Sequence, residues 1–143
     1  MKYKNLLPLG FLVAVISLMA ACGGPSSFIR VTDPSSTKWH NIELRENLKY
    51  EDAWKLTVDT IAQKFDIEVV SQDSAYLRTS WDRKWTGKVT EFYAVRATIK
   101  FSPDRKYLQI KSEATYKDEA GEDERLTQTL KNDLMGKVGR VTQ

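Results

Sequence analysis

Apolar residues recur every three or four positions between residues 50 and 65, which is the spacing of one face of an α-helix. This stripe consists of Trp54, Val58, Ile61, Ala62 and Phe65. Two short runs rich in β-branched and aromatic residues follow directly, at 67–70 and 76–81, with turn-forming residues between them. The pattern therefore predicts an amphipathic helix that packs on a β-hairpin.

The rest of the chain shows the alternation of apolar and polar positions that is typical of strands. Residues 39–45 predict a half-buried strand ahead of the helix. Residues 89–101 and 107–116 predict two longer strands, joined by a turn at Pro103 into an antiparallel hairpin. We expect the acidic stretch 117–124 to be a solvated loop, and the leucines at four-residue spacing after it predict a second helix.

The order strand, helix, four strands, helix indicates an α+β fold. We expect an antiparallel sheet of about four to five strands with both helices packed on one face, in the manner of a helix-grip fold. Residues 39–143 have the length of one ordinary globular domain. The opposite face of the sheet is then solvated or offered to a partner.

The first 21 residues have the pattern of an export signal: two lysines, an apolar run at 6–18 that is short for a membrane span, and small residues before Cys22. This arrangement resembles the lipobox of bacterial lipoproteins, in which the signal is cleaved before the cysteine and the thiol receives a diacylglycerol. Gly23 stands where an Asp marks inner-membrane retention in many Gram-negative lipoproteins. The resemblance implies a signal peptide at 1–21, lipidation at Cys22 and an outer-membrane location facing the periplasm. The alternative is an uncleaved N-terminal helix.

Residues 22–38 are rich in Gly, Pro, Ser and Thr. Such a composition buries too little apolar surface to order the chain, so we expect a flexible tether that carries the lipidated Cys22. A small apolar island lies within it, at Phe28, Ile29 and Val31. This island could instead form a short edge strand or dock on a partner.

The sequence offers few residues for catalysis or metal binding. His40 is the only histidine and Cys22 the only cysteine, so neither a His-based triad, nor a multi-histidine metal site, nor an internal disulfide can be assembled. The acidic residues of 117–124 do not follow the spacing of an EF-hand loop. Glycine-rich phosphate loops and the Gly-x-Ser-x-Gly and His-Glu-x-x-His motifs do not occur. We therefore expect no enzymatic activity, no metal and no cofactor.

The charge of the chain is nearly balanced. The sequence has 22 basic and 19 acidic residues, and cleavage of the signal would leave 20 against 19. This balance lacks the electrostatic footprint of nucleic-acid binding. One stretch differs, because the cations Arg78 and Lys84 are interleaved with Trp81 and Trp85. Such a surface suits a protein partner, a glycan or an anionic lipid head group, and we expect these four residues to bind a partner. In the alternative, the tryptophans complete the core and the cations stay solvated.

Four short segments between residues 42 and 81 share a pattern with a known protein family. They are Ile-Glu-Leu at 42–44, Leu-Lys-Tyr-Glu-Asp-Ala-Trp at 48–54, Ile-Glu-Val-Val at 67–70 and Ala-Tyr-Leu-Arg-Thr-Ser-Trp at 75–81. This pattern resembles the repeated domain of the lipoprotein C subunit of the β-barrel assembly machine. In that family a strand leads into a helix with an Ala-Trp pair, followed by a short strand and a hairpin arm that ends in an aromatic residue. The resemblance implies the α+β fold described above and a role at the cell envelope.

These observations predict a periplasm-facing, membrane-anchored lipoprotein whose domain is an interaction module in envelope assembly or maintenance. The alternative is a carrier that holds a small apolar or lipid-like ligand between the helix and the sheet. A carrier needs a cavity beside the apolar stripe of residues 54–65, whereas an interaction module has this space filled. The bulky side chains of Trp54 and Phe65 favour filling.

Overall fold

The computed structural model describes residues 24–140, which form a seven-stranded sheet and two α-helices around one core. The strands are β1 (Phe28–Arg30), β2 (His40–Glu43), β3 (Ile67–Ser71), β4 (Tyr76–Thr79), β5 (Tyr93–Phe101), β6 (Tyr107–Tyr116) and β7 (Glu119–Asp123). The helices are α1 (Tyr50–Ala62) and α2 (Glu124–Val138), and a 3-10 turn spans Pro34–Ser36. The α+β class, the antiparallel pairing and the two helices are confirmed, whereas the expected number of strands, four to five, is too small.

The sheet is antiparallel in the order β1-β7-β6-β5-β4-β3, and β2 pairs with the first half of β6. The long strand β6 is therefore shared, with Ile110 opposite His40 of β2 and Ala114 opposite Gly121 of β7. The predicted hairpin of β5 and β6 is present, with Ile99 opposite Ile110. Because side chains alternate along a strand, this register places one set on the helix side and the other on the opposite side, which we call the outer face.

Both helices cover the same face of the sheet. From α1, the ring of Trp54 lies against Phe101 of β5, with 5.9 Å between the ring centroids. From α2, the Thr127 hydroxyl donates to Ser112 Oγ of β6 at 2.8 Å. The apolar residues predicted for the second helix are all buried: Leu126, Leu130, Leu134 and Val138. One hydrophobic core therefore lies between the helix pair and the sheet.

The buried side of α1 differs slightly from the predicted stripe. Trp54 and Ile61 are buried as expected, but Val58 is only half-buried and Ala62 is exposed. Thr57 is fully buried in their place, and its hydroxyl donates to the Ala53 carbonyl at 2.8 Å. This local bond satisfies the hydroxyl without a partner outside the helix, so a threonine can join an apolar face.

The stretch expected to be an acidic loop contains strand β7. Its acidic composition and its glycine are weak signals for a strand, so the sequence did not predict it. A Cβ atom on Gly121 would collide with the ring of Phe28 and with the carbonyl of Ile29. Only glycine allows β1 and β7 to approach this closely, and the pairing depends on this close approach. These two strands account for the difference in strand number.

The expected flexible tether is wrong for residues 28–38, because these residues belong to the domain. Phe28–Arg30 is the edge strand β1, which was the alternative interpretation of the apolar island. The Phe28 ring packs on Tyr93 and Tyr116, at centroid distances of 6.0 Å and 5.7 Å. Further along, Thr37 is buried. The predicted signal peptide and Cys22 lie outside the described residues.

Candidate functional site

The outer face of the sheet carries polar side chains in cross-strand pairs. The pairs formed by β5 and β6 are Arg96 with Glu113, Thr98 with Lys111, and Lys100 with Gln109. One of these pairs, Arg96 with Glu113, joins unlike charges, and directly opposed unlike charges stabilise a sheet. This pair therefore helps to fix the side chains at the middle of the outer face.

Arg96 is at the centre of the first cluster on this face. Its Nε donates to Glu113 Oε2 at 3.0 Å and its Nη2 donates to Glu113 Oε1 at 3.3 Å. The same guanidinium lies over the ring of Trp81, 4.6 Å from the centroid. The Arg96 and Glu113 side chains are only 21% and 18% exposed, so solvent screens this pair less than a surface ion pair. The paired guanidinium fixes the position of the Trp81 ring.

Trp39 forms a second cluster on the outer face. The Nζ atoms of Lys100 and Lys111 lie 4.1 Å and 5.2 Å from its ring centroid. Trp39 is 36% exposed and Trp81 is 41% exposed. Two large aromatic rings thus remain half open to solvent on one face, and each is held by a cation.

An open cavity of about 250 Å³ lies beside Trp81 on this face, and we call it the outer groove. Trp81 lines the outer groove from the β4–β5 side, Pro34 and Thr37 line it from the N-terminal segment, and Arg96 and Glu113 line it from the sheet. Its lining is mostly apolar. Sites for whole small ligands usually measure about 300–1,000 Å³, so this volume suits one or two side chains of a protein partner better.

The structure separates the four residues that the sequence grouped as a partner-binding surface. Trp81 and Lys84 line a common cavity of about 350 Å³, next to the outer groove. Arg78 instead pairs with Glu68, with 3.0 Å between Nε and Oε2. Trp85 is half-buried and packs against the core, 5.8 Å from the ring of Phe65. Trp81 is therefore available for contact, whereas most of Trp85 is not.

Sequence reasoning did not include Trp39, Arg96 and Glu113 in the site. The alternation along β5 assigned Arg96 to the polar side of its strand, but it did not show which residue lies opposite. The pairing with Glu113 follows from the register of β5 and β6, which depends on the turn between them. Trp39 reaches the outer face because the N-terminal segment is ordered, and the composition of that segment predicted a tether.

A buried polar network lies on the other side of the sheet, at the start of α2. Asp123 is fully buried and is the N-cap of α2, because its Oδ1 accepts from the Leu126 amide at 2.6 Å. Its Oδ2 accepts from the Ser27 hydroxyl at 2.8 Å and from the Tyr93 hydroxyl. Burial, followed by the hydrogen bond to Asp123, raises the pKa of Tyr93 well above its ordinary value. The phenol is thus a neutral donor, and the network joins β1, β5, β7 and α2.

Within residues 24–140, no three His, Cys, Asp or Glu side chains come together in a way that could hold a metal ion. In the same part of the chain, no helix has both the length and the apolar character needed to cross a membrane. The candidate site on the outer face consists of two aromatic rings, each held by a cation, with an open groove beside Trp81.

Comparison with protein-family models gives no match, and no curated protein is significantly similar to this chain.

Proposed function

We propose that this chain is a lipoprotein anchored through Cys22 in the outer membrane and facing the periplasm, and that its domain binds a protein partner in envelope assembly or maintenance. The observation that carries the binding proposal is the half-exposed ring of Trp81, held by Arg96 beside the outer groove. Binding surfaces favour tryptophan because a rigid ring buries a large area at a small entropic cost. A ring that is already held by a cation loses even less freedom on binding.

Two further observations from the sequence support the location and the biological setting. The lipobox at Cys22 supports membrane attachment, because several acyl chains bind a bilayer far more firmly than one. The resemblance of residues 42–81 to the lipoprotein C subunit of the β-barrel assembly machine supports a role in envelope assembly. That resemblance consists of core positions, so it supports the fold more strongly than the partner.

The packing between helix and sheet favours an interaction module over a lipid carrier. A carrier would need open volume beside the apolar stripe of α1. In that place Trp54 lies against Phe101 and 6.3 Å from the ring of Tyr50, and Phe65 is also buried. The rings that line this interface therefore occupy the space that a ligand would need.

Site-specific photo-crosslinking in intact cells tests the partner-binding surface. A photoreactive amino acid is placed at Trp81 in the full-length chain, and the same residue is placed at Tyr107 as a matched control. Tyr107 is 40% exposed, close to the 41% of Trp81, but it does not line the outer groove. We expect a discrete adduct with one envelope protein from position 81 and none from position 107. Identical adducts from both positions, or no adduct from position 81, would contradict the proposed surface.

Mass spectrometry of the N-terminal peptide tests the anchor separately. The protein is purified from the membrane fraction and its first peptide is analysed. We expect a chain that begins at Cys22 and carries a thioether-linked diacylglycerol. A chain that begins at Met1, or a Cys22 with a free thiol, would rule out the lipoprotein proposal while leaving the groove to be judged by crosslinking.

A further inference from the structure

Exposed apolar side chains are concentrated on the loop between β4 and β5, residues 80–92. Val89 is 71% exposed and Phe92 is 61% exposed, which are the highest values among the large hydrophobic residues that the structure describes. The exposed cations Lys84 and Lys88 lie on the same loop. An exposed apolar pair that shares its loop with lysines matches the composition of segments that insert into the interface of a bilayer.

The first described residues lie beside this loop. Gly24 packs so closely on the ring of Tyr116 that a Cβ atom would come within 2.8 Å of Tyr116 Cε1. Lys117, in the turn between β6 and β7, donates its backbone amide proton to the Phe92 carbonyl at 2.9 Å. Gly24, Tyr116, Lys117 and Phe92 therefore form a continuous line of contacts at one end of the sheet.

The chain is held firmly close to its first described residue. The Phe28 amide donates to the Pro25 carbonyl at 2.9 Å, and the Ser27 hydroxyl donates to the buried carboxylate of Asp123 at 2.8 Å. Cys22 is two residues before Gly24. Two residues span about 7 Å at most, so a lipid on Cys22 would be attached within that distance of Gly24. This differs greatly from the tether of residues 22–38 that the composition suggested.

We propose that the β4–β5 loop rests on the leaflet that holds the anchor and inserts Val89 and Phe92 into it. This inference rests on the proposed lipidation of Cys22, and it adds the orientation of the domain. The occupant of the exposed apolar patch is the bilayer itself, because the anchor and the patch lie at the same end of the domain. A protein partner at this patch would have to compete with a membrane that is already adjacent.

The charge near the patch indicates that insertion is driven by apolar burial rather than by attraction to anionic lipids. Residues 80–92 together with the turn at 117–118 carry four cations, Arg83, Lys84, Lys88 and Lys117, and three anions, Asp82, Glu91 and Asp118. A net charge of +1 gives only weak attraction to an anionic surface. Insertion should therefore persist at high salt, which screens charges but does not weaken apolar burial.

Depth-dependent fluorescence in vesicles tests this orientation. Val89→Cys is introduced into the full-length, lipidated protein, in which Cys22 is the only other cysteine and its sulfur is consumed by the lipid. The new thiol is labelled with an environment-sensitive fluorophore, and the protein is reconstituted in vesicles of phosphatidylethanolamine and phosphatidylglycerol. The matched control is Lys106→Cys, an exposed position in the turn at the far end of β5 and β6. Nine residues of β5 separate the two ends, about 30 Å.

We expect the label at position 89 to shift its emission to the blue and to be quenched by brominated acyl chains, and the label at position 106 to do neither. Raising the salt from about 0.1 M to about 1 M, which shortens the Debye length from about 10 Å to about 3 Å, should leave the quenching unchanged. A Phe92→Ser substitution should reduce the quenching of the label at position 89.

Each contrary outcome has a distinct meaning, because the N-terminal peptide of the same preparation is checked for its lipid. If the lipid is present and the label at position 89 is not quenched, the orientation is wrong and the lipoprotein proposal stands. Quenching at both positions, or quenching at 89 that disappears at high salt, also overturns the inference. If the preparation carries no lipid at Cys22, both the lipoprotein proposal and the orientation fail.

Discussion

Replacing Asp123 should destabilise the domain more than replacing any exposed carboxylate would, because this buried side chain joins four elements. Its carboxylate accepts from Leu126 in α2, from Ser27 just before β1 and from Tyr93 in β5. It is fully buried, so water does not replace these contacts when the carboxylate is removed. Asp123→Ala therefore removes a helix cap and leaves donors without an acceptor.

The magnitude follows from the environment of each donor. Loss of an N-cap costs about 0.5–2 kcal/mol. The Tyr93 side chain is 3% exposed, so its hydroxyl would lose its acceptor in a dry site, at about 1–3 kcal/mol. Ser27 is half-buried and its hydroxyl can turn to water, so it adds little. We expect Asp123→Ala to lower the free energy of unfolding by about 1.5–5 kcal/mol, the sum of these two losses.

Urea unfolding followed by tryptophan fluorescence measures this loss, with three matched variants. Asp123→Asn should cost less than Asp123→Ala, because asparagine still caps the helix and its amide can donate to the two hydroxyls. Asp59→Ala, an exposed position on α1, should change stability by less than about 0.5 kcal/mol. Combining Asp123→Ala with Tyr93→Phe should lose less than the two single losses together. Additive losses, or an Asp123→Ala loss under about 1 kcal/mol, would refute the network as a source of stability.

Two further predictions concern the core. Trp54→Ala should lower the free energy of unfolding by about 3–5 kcal/mol, because the ring is 6% exposed and fills the space between α1 and the sheet. The control in the same urea assay is Val70→Ala. Val70 is 56% exposed, so this substitution should change the free energy of unfolding by less than about 0.5 kcal/mol. Because the pKa of Tyr93 is raised above its unfolded value of about 10, its contribution to stability is fully present below pH 10 and is lost as the pH rises further. Between about pH 9 and pH 11, the free energy of unfolding measured with urea should therefore fall more steeply with pH for the wild type than for Tyr93→Phe. Tyr107→Phe, at an exposed position, should retain the wild-type dependence of the free energy of unfolding on pH. An equal dependence in all three proteins would show that Tyr93 does not cause the loss of stability at high pH.

The predictable part of the fold is the part with strong periodicity. α1, α2 and the β5–β6 hairpin have long runs in which apolar positions recur at one spacing, so local pattern and final burial agree. β1 has only three residues, which is too short to show a periodicity, and the acidic, glycine-containing β7 lacks a strand-like composition. Their pairing depends on Gly121 and on the register of the longer β6, which are tertiary effects that a local pattern does not contain.

The candidate site was predictable to a smaller extent, since a tryptophan in a polar stretch can face either way. Trp81 and Trp85 are four residues apart and look alike in sequence. The bridge between Asp82 and Val95 holds the chain against β5 just after Trp81, which remains over Arg96 on the outer face. Trp85 instead lies between Phe65 and the guanidinium of Arg125. Neither contact partner is near in sequence, so composition alone left both interpretations open.

The outer groove and the β4–β5 loop are close enough to constrain each other. Asp118 lines the outer groove, and the residue before it, Lys117, donates its amide proton to the Phe92 carbonyl. Trp81 is itself at the start of the loop that carries Val89. If Val89 lies in the leaflet, the groove is held next to the membrane by the fold and not by a tether. The adduct from position 81 should then contain a protein with a segment in or on the same membrane. A partner that is captured equally well by a form of the domain released from the membrane would contradict this coupling.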